Sequence, residues 1–322
     1  MNKDHSINFT KVYFRPNWEF QEFDPDKVFE EHGLKRSDNI LNSRVILTSS
    51  LKRARLLSVL FPTRKVFLVH ADPRGNRTQS KTCKGIFGST VHLINVFTGE
   101  FFRDNYSYCN RHGIGGEPLP EEVDDTNFDD RVKRVGVFMA YSDQMAIETG
   151  PPFGNNLHAY RRDLARRLHQ SKMAEIRGFG WPPHYNSECD DFLTVGNEWA
   201  SSKISSLRQY WFSLAIENTL APYYVTEKIW QAIIAGSIPI YYGGHSSTIY
   251  EDFPAESFID ASIYKANELI EHLKSITKIE AVNRLKKCRK AYNRMLERKP
   301  PNHDKYIRDC LNRISLRIRS VL

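Results

Sequence analysis

The stretch from Phe212 to Gly244, FSLAIENTLAPYYVTEKIWQAIIAGSIPIYYGG, decides the fold that we expect for this chain. An apolar run that carries Glu217 and Asn218 leads into a loop, and the loop opens a helix at Thr226. The helical pattern ends at a glycine, and a second apolar run, IPIYY, follows it. The stretch therefore predicts a strand–helix–strand unit whose polar residues gather where the strand ends and the helix begins.

This arrangement predicts a nucleotide-diphosphate site. In open α/β sheets, ligands bind in the crevice beyond the carboxyl ends of the strands. A helix N-terminus in that crevice offers free N–H groups and a partial positive charge to a phosphate. Thr226, Glu227 and Lys228 begin the helix, and Glu217 and Asn218 end the strand before it. We expect all five to take part in the site.

Each of these residues also has a simpler interpretation. Lys228 adds a point charge for an anion, or it is an ordinary solvated lysine in a first helical turn. Glu227 accepts protons from the hydroxyls of a ribose, or it only complements the helix dipole. Tyr224 faces the base or a phosphate, or it only packs. Glu217 and Asn218 shape the sugar or diphosphate pocket, although a carboxylate at the end of a strand more often orders its neighbours than performs chemistry.

The same segment resembles the donor-binding signature of glycosyltransferase family 10, the α1,3/4-fucosyltransferases. That signature reads F-x-L-x-F-E-N-(S/T), then Y-(V/I)-T-E-K, then (I/V)-P-(I/V). The matching residues here are Phe212, Leu214, Glu217, Asn218, Thr219, Tyr224, Val225, Thr226, Glu227, Lys228, Ile238, Pro239 and Ile240. Ile216 stands where the family usually has an aromatic residue.

The resemblance implies a fold, a reaction and a donor. The fold is α/β of the GT-B type, with two facing Rossmann-like, doubly wound domains. The reaction moves L-fucose from GDP-fucose to a hydroxyl of a glycan acceptor with inversion, and we expect an α-1,3 linkage. No metal or other cofactor is required, because protein cations and helix N–H groups stabilise the leaving diphosphate.

The resemblance also points to an arginine and to a glycine turn. The family carries a diphosphate-binding arginine seven residues before a leucine on a helix, and Arg161 and Leu168 have this spacing. A guanidinium suits bidentate phosphate contact, although the adjacent Arg162 competes for the role. Gly178-Phe179-Gly180-Trp181 resembles a turn that brings the backbone close to a ligand, or it is only a turn.

The family's usual catalytic base lies in a phrase such as T-G-E-N just after a strand, and this chain lacks that phrase. After the strand KVFLV comes His70-Ala71-Asp72-Pro73, so Asp72 occupies the equivalent position. Asp72 is also a common kind of turn residue before proline. Glu100 is the second candidate base and His70 the third. This departure leaves open the identity of the acceptor and whether the chain is catalytically active.

Alternating strand and helix patterns predict three regions. Strands are expected at 44–48, 65–69, 91–97 and 134–141, and a proline-rich break follows near residue 150. We therefore expect an acceptor-binding domain over 1–150, a GDP-fucose-binding domain over 151–300 and a basic amphipathic helix over 301–322. The boundary is placed between about 140 and 157.

The basic charge of the chain is concentrated in its last 45 residues. Residues 278–322 carry 14 basic and 4 acidic side chains, whereas the rest carries 32 and 34. The apolar residues of 301–322 fall at helical spacing. They predict either a helix on an anionic membrane surface or a helix that packs on the N-terminal domain. No nucleic-acid-binding motif accompanies the charge, so we do not expect a nucleic-acid partner.

Composition sets the remaining expectations. No run of about 18 apolar residues is present, and MNKDHSINFT lacks the apolar core of a signal peptide. Five scattered cysteines favour reduced thiols over a disulfide framework or a zinc site. We expect a cytoplasmic location, peripheral on the inner membrane face if the basic helix binds lipid. Two alternatives stay open: a GT-B enzyme that uses another nucleotide sugar, and a non-catalytic homologue that binds sugar nucleotides.

Overall fold

A computed structural model of the chain describes residues 9–14, 25–70, 81–96, 99–101, 103, 105, 117–141, 156–185, 199–244, 247–297 and 302–322. The chain divides into two units. The first unit comprises Met1–Pro73, Arg77–Arg103 and Pro300–Leu322, and the second comprises Arg74–Asn76 and Asp104–Lys299. Each unit is built on its own β-sheet.

The first unit has a six-stranded sheet in the order β2-β1-β3-β4-β6-β5. All neighbours are parallel except the edge strand β5, which is antiparallel to β6. The elements are β1 Thr10–Tyr13, α1 Pro25–Glu31, β2 Leu34–Ser37, β3 Val45–Thr48, α2 Leu51–Leu60, β4 Lys65–His70, β5 Thr82–Lys84 and β6 Thr90–Asn95. The Ser50 side chain accepts a hydrogen bond from the N–H of Arg53 and so caps α2.

The second unit has a five-stranded, fully parallel sheet in the order β11-β10-β9-β7-β8. Its elements are β7 Val132–Phe138, α3 His158–Gln170, β8 Ala174–Arg177, α4 Trp199–Leu207, β9 Tyr210–Leu214, α5 Glu227–Ala235, β10 Ile238–Tyr241, β11 Ile259–Asp260, α6 Ala266–Ser275 and α7 Lys278–Glu297. Helix α3 contacts α6, and α4 contacts α5. The strand order is that of a doubly wound sheet whose direction of growth reverses between β7 and β9.

The central strands β9 and β10 form the two apolar runs of the segment from Phe212 to Gly244. All five residues of β9 and all four of β10 are buried. Parallel strands that are covered on both faces read as continuous apolar runs, as these two do. Gly236 ends α5 with φ of 75°, a left-handed conformation that favours glycine. The structure therefore confirms the predicted strand–helix–strand unit and the α/β class of both units.

The structure divides the chain between Arg103 and Asp104, whereas the sequence predicts a boundary near residue 150. Strand β7 precedes residue 150 but pairs with β8 and β9, so it belongs to the second sheet. The apolar pattern of a strand does not indicate which sheet the strand joins.

The C-terminal helix α8, Asn302–Arg319, belongs to the first unit. It packs on α1 and buries an apolar face made of Ile307, Cys310, Leu311, Ile314 and Ile318. Arg308 forms an ion pair with Glu31 at 2.6 Å, and Nε of Arg313 donates to the carbonyl oxygen of Phe101 at 2.7 Å. Of the two interpretations of the basic tail, the structure bears out packing. The face proposed to contact a membrane is occupied by protein.

Within the described part of the chain, none of the helices combines the length and apolar character needed to cross a bilayer. The three described cysteines, Cys83, Cys288 and Cys310, form no disulfide bond. Cys109 and Cys189 lie outside the described residues.

Candidate functional site

A cavity lies at the carboxyl ends of three neighbouring strands of the second sheet. Phe138, Met139 and Ala140 line it after β7, Arg177 and Gly178 at the end of β8, and Leu214 and Ile216 at the end of β9. The gap between β7 and β9 is the point where the strand order reverses, and ligands bind at such points. The volume is about 190 Å³, against roughly 10–15 Å³ for one water molecule, so the cavity is large enough for a ligand.

The glycine turn after β8 begins at Gly178, which lines this cavity. Gly178 has φ of 150°, and a Cβ built on it would lie 2.2 Å from the carbonyl oxygen of Met139. Gly180 has φ of 82°, and its Cβ would lie 2.8 Å from the carbonyl oxygen of Tyr141. Nε1 of Trp181 donates to the carbonyl oxygen of Met139 at 2.7 Å. Glycine is required because the chain after β7 passes directly against this turn.

Glu217, which follows β9, accepts hydrogen bonds from the residue at the start of α5. It is 3% exposed, and its Oε1 accepts the N–H of Thr226, the residue that caps α5, at 2.7 Å. The hydroxyl of Thr226 donates to Oε2 of the same carboxylate at 2.7 Å. Burial raises the pKa of Glu217, and the ammonium of Lys228 and the Thr226 hydroxyl oppose that rise. Glu217 therefore orders its neighbours, as a carboxylate at a strand end commonly does.

Lys228 is a buried, ion-paired lysine, which differs from both sequence interpretations of it. Its Nζ donates to Oε2 of Glu217 at 2.8 Å and to Oε1 of Glu227 at 3.2 Å. Its side chain is 19% exposed and lines the cavity, as does Glu227. Burial alone would lower the pKa of Lys228, but the two carboxylates outweigh burial and the pKa is raised. Lys228 is therefore positively charged at neutral pH, with much of its charge balanced by the protein.

The two arginines that compete on α3 lie in different places. Arg161 lines the cavity, and its guanidinium lies 3.2 Å from Nδ1 of His158 and 3.5 Å from the carbonyl oxygen of Ile216. Arg162 stacks on the ring of Tyr141, with its Cζ 5.3 Å from the ring centroid. The structure therefore brings Arg161, and not Arg162, to the predicted site.

Asn218 and Tyr224 do not line the cavity. The carbonyl oxygen of Asn218 accepts the N–H of Leu157 at 2.8 Å and so holds the residue before α3. Tyr224 is 3% exposed, which agrees with the packing interpretation of this residue. Both residues support the site through the backbone and the core.

Lys203, in the middle of α4, lines the same cavity and has no counterpart in the sequence prediction. It is only 8% exposed. Burial lowers its pKa to about 8, with Glu227 opposing the shift and Lys228 adding to it. None of the residues that the structure describes forms a hydrogen bond or an ion pair with its ammonium. The signal for Lys203 was its spacing: it lies four residues before Leu207, the other buried residue of α4.

Of the three candidate bases, Glu100 is the one whose side chain the structure describes. Asp72 lies outside the described residues, and His70 ends β4 with a side chain that is likewise not described. Glu100 belongs to the first unit and is exposed. Across the described residues, no cluster of three or more His, Cys, Asp or Glu side chains is arranged to hold a metal ion.

Comparison with known proteins matches residues 156–308 to the model of glycosyltransferase family 10 (fucosyltransferase), C-terminal part. This confirms the resemblance that the donor motif indicates. An α-(1,4)-fucosyltransferase of Arabidopsis thaliana is 38% identical over 90 residues, which are 28% of this chain and 22% of that protein. An α-(1,3)-fucosyltransferase of Helicobacter pylori is 40% identical over 74 residues, which are 23% of this chain and 15% of that protein.

The chain thus spans less than a quarter of the length of either relative. Among solved structures, a crystal structure of an α1,3-fucosyltransferase is 16% identical, covering 94% of this chain and 95% of its own, with a TM-score of 0.46.

Proposed function

We propose that this chain is a fucosyltransferase that uses GDP-fucose as its donor and a glycan hydroxyl as its acceptor, because residues 156–308 match the model of glycosyltransferase family 10. The observation that carries the proposal is the cavity at the strand-order reversal of the second sheet. Residues of the donor motif, Glu227 and Lys228, line it beside Arg161. These are the side chains that the family resemblance assigns to the nucleotide.

The charge of the cavity favours a diphosphate. Four basic side chains, Arg161, Arg177, Lys203 and Lys228, line it together with one carboxylate, Glu227. A second carboxylate, Glu217, lies behind Lys228. The site therefore has an excess of positive charge in a partly buried setting, where ionic hydrogen bonds to phosphate are strong.

The proposed reaction is a single displacement with inversion. The acceptor oxygen attacks the anomeric carbon of fucose as the bond from that carbon to the GDP oxygen breaks. The hydroxyl proton passes to a carboxylate base, for which Asp72 is the first candidate and Glu100 the second. The bond electrons leave with GDP, and the cations around the cavity stabilise the charge that develops on its diphosphate.

A donor panel tests this function. The chain is incubated with GDP-fucose, GDP-mannose, UDP-glucose and ADP-glucose and a mixture of glycan acceptors, and nucleoside diphosphate release is measured. We expect GDP release from GDP-fucose alone, and NMR of the product should show an α-fucosyl linkage formed from the β-linked donor. Turnover of only a UDP- or ADP-sugar would refute GDP-fucose as the donor.

The base is tested separately. Asp72→Asn is expected to abolish transfer while GDP affinity is retained, because the carboxylate acts on the acceptor and not on the donor. Glu100→Gln is the matched comparison. Normal turnover by Asp72→Asn together with loss of turnover by Glu100→Gln would move the role to Glu100.

A non-catalytic homologue is the second candidate, and one observation favours it. The chain has His70-Ala71-Asp72-Pro73 where the family resemblance leads us to expect T-G-E-N. GDP binding with no transfer to any acceptor and no slow hydrolysis of GDP-fucose would support this candidate over the enzyme.

A further inference from the structure

Lys203 is an unusual feature of the second unit because it is a lysine on the buried face of a helix. It lies on α4, which packs against α5, and it is 8% exposed. Lysine is rarely buried to this extent unless it is paired. Its position in the wall of the cavity offers a reason for that burial.

The neighbouring charges do not supply a partner for it. Glu217 and Glu227 both bind the ammonium of Lys228. Their attraction for Lys203 is partly cancelled by repulsion from Lys228 and Arg161. An uncompensated buried cation is costly, and the cost falls when an anion enters the cavity.

We propose that Lys203 is a diphosphate-binding cation of the donor site, which contacts phosphate oxygens of the bound nucleotide and stabilises them as the diphosphate leaves. The proposal rests on the proposed function for the class of donor, a nucleoside diphosphate sugar. It adds a residue that lies outside the donor motif and on a different helix from the residues that the motif assigns.

Binding should then be linked to protonation of Lys203. In the empty site its pKa of about 8 leaves it largely neutral at pH 8.5. A bound diphosphate favours the charged form, so the site takes up a proton. Of the charged groups that face Lys203, Lys228 on α5 and Arg161 on α3 lower its pKa in the empty site, whereas Glu227 and Glu217 raise it.

The test is calorimetric titration of GDP into the full chain at pH 8.5, in two buffers of different ionisation enthalpy. Wild type should take up roughly three quarters of a proton on binding, as expected for a group titrating near pH 8. Lys203→Met should take up almost none and bind GDP about 10- to 100-fold more weakly, the range for one charged hydrogen bond. Lys203→Arg should recover most of the affinity without proton uptake.

Lys290→Met, at an exposed lysine of α7, is the matched control and should behave as wild type. Unchanged affinity in Lys203→Met, or proton uptake that persists in it, would overturn the proposal. Proton uptake is also measured in wild type, so the proposal is tested even if Lys203→Met does not fold. Titration with UDP separates the role of Lys203 from the identity of the donor. If UDP binds tightly and GDP does not, GDP-fucose is refuted as the donor. If UDP binding then depends on Lys203 in the same way, the role of Lys203 in binding a diphosphate is retained.

Discussion

Lys203→Met is expected to stabilise the chain at pH 7 even as it weakens nucleotide binding. The native-state pKa of Lys203 is about 8, lowered first by burial. The unfolded chain should have the ordinary lysine value of about 10.4, and one pKa unit corresponds to about 1.4 kcal/mol. The buried ammonium therefore costs about 3 kcal/mol at pH 7, which a methionine of similar length removes.

The sign of the pH dependence follows from the lowered pKa. Below pH 8, Lys203 is charged in both states and the native state bears the whole cost. Between pH 8 and about 10.4 the native state releases the proton while the unfolded state keeps it, so wild type gains stability relative to the variant. The advantage of Lys203→Met should fall below about 1 kcal/mol at pH 10.

Urea denaturation followed by tryptophan fluorescence measures this difference. Four of the five tryptophans, Trp181, Trp199, Trp211 and Trp230, lie in the second unit, so the signal reports mainly on it. Lys290→Met controls for the loss of a lysine charge at an exposed site. If Lys203→Met destabilises the chain equally at pH 7 and pH 10, Lys203 serves packing, and the argument for a cation held ready for an anion is refuted.

Three further changes test other parts of the molecule. Glu217→Ala removes the carboxylate that accepts hydrogen bonds from Thr226 and Lys228, and the loss of this buried partner should lower the free energy of unfolding by about 3 kcal/mol; an unchanged urea midpoint would contradict this role. In Gly178→Ala the new Cβ clashes with the carbonyl oxygen of Met139 at a residue with φ of 150°. The free energy of unfolding should fall by at least about 2 kcal/mol, and GDP binding should weaken. Gly33→Ala, at φ of 66° with no atom within 4 Å of the new Cβ, should cost only about 1 kcal/mol, and equal losses would rule out the contact as the cause. Ile314→Asp, at a fully buried position of α8, should lower stability by about 3 kcal/mol or more, whereas Leu316→Asp, at a 57% exposed position, should stay within about 0.5 kcal/mol. Equal tolerance of the two aspartates in a urea titration monitored by circular dichroism would mean that α8 is not packed.

The parts of the fold that could be predicted are those with a strong local pattern. Strands β9 and β10 are continuous apolar runs because both of their faces are covered, and α5 ends at a glycine whose conformation requires one. Strands β1 and β2, TKVY and LKRS, were missed because they are short and carry exposed polar residues. Their strand conformation depends on pairing with neighbours, which a local pattern does not contain.

In the site, too, the residues that a local motif places were predicted, and the contacts that depend on the folded chain were not. Glu227, Lys228 and Arg161 were predicted because a motif places them, and all three line the cavity. The hydrogen bond from the N–H of Thr226 to Glu217 was not predicted, because a loop separates these two residues, which lie nine positions apart. Lys203 was missed because its environment is created by helix packing, and its own segment reads as an ordinary polar helix.

The position of α8 has a consequence for how the protein is made. The second unit is almost one continuous segment, so it has all of its residues outside the ribosome before the first unit does. The first unit must wait for Ile314 and its neighbours, which are synthesised after the second unit, to fill its core. We therefore expect the usual N-terminal-first order of folding during translation to be reversed here, and a chain truncated after residue 299 should protect the second unit from protease while it leaves the first unit open to it.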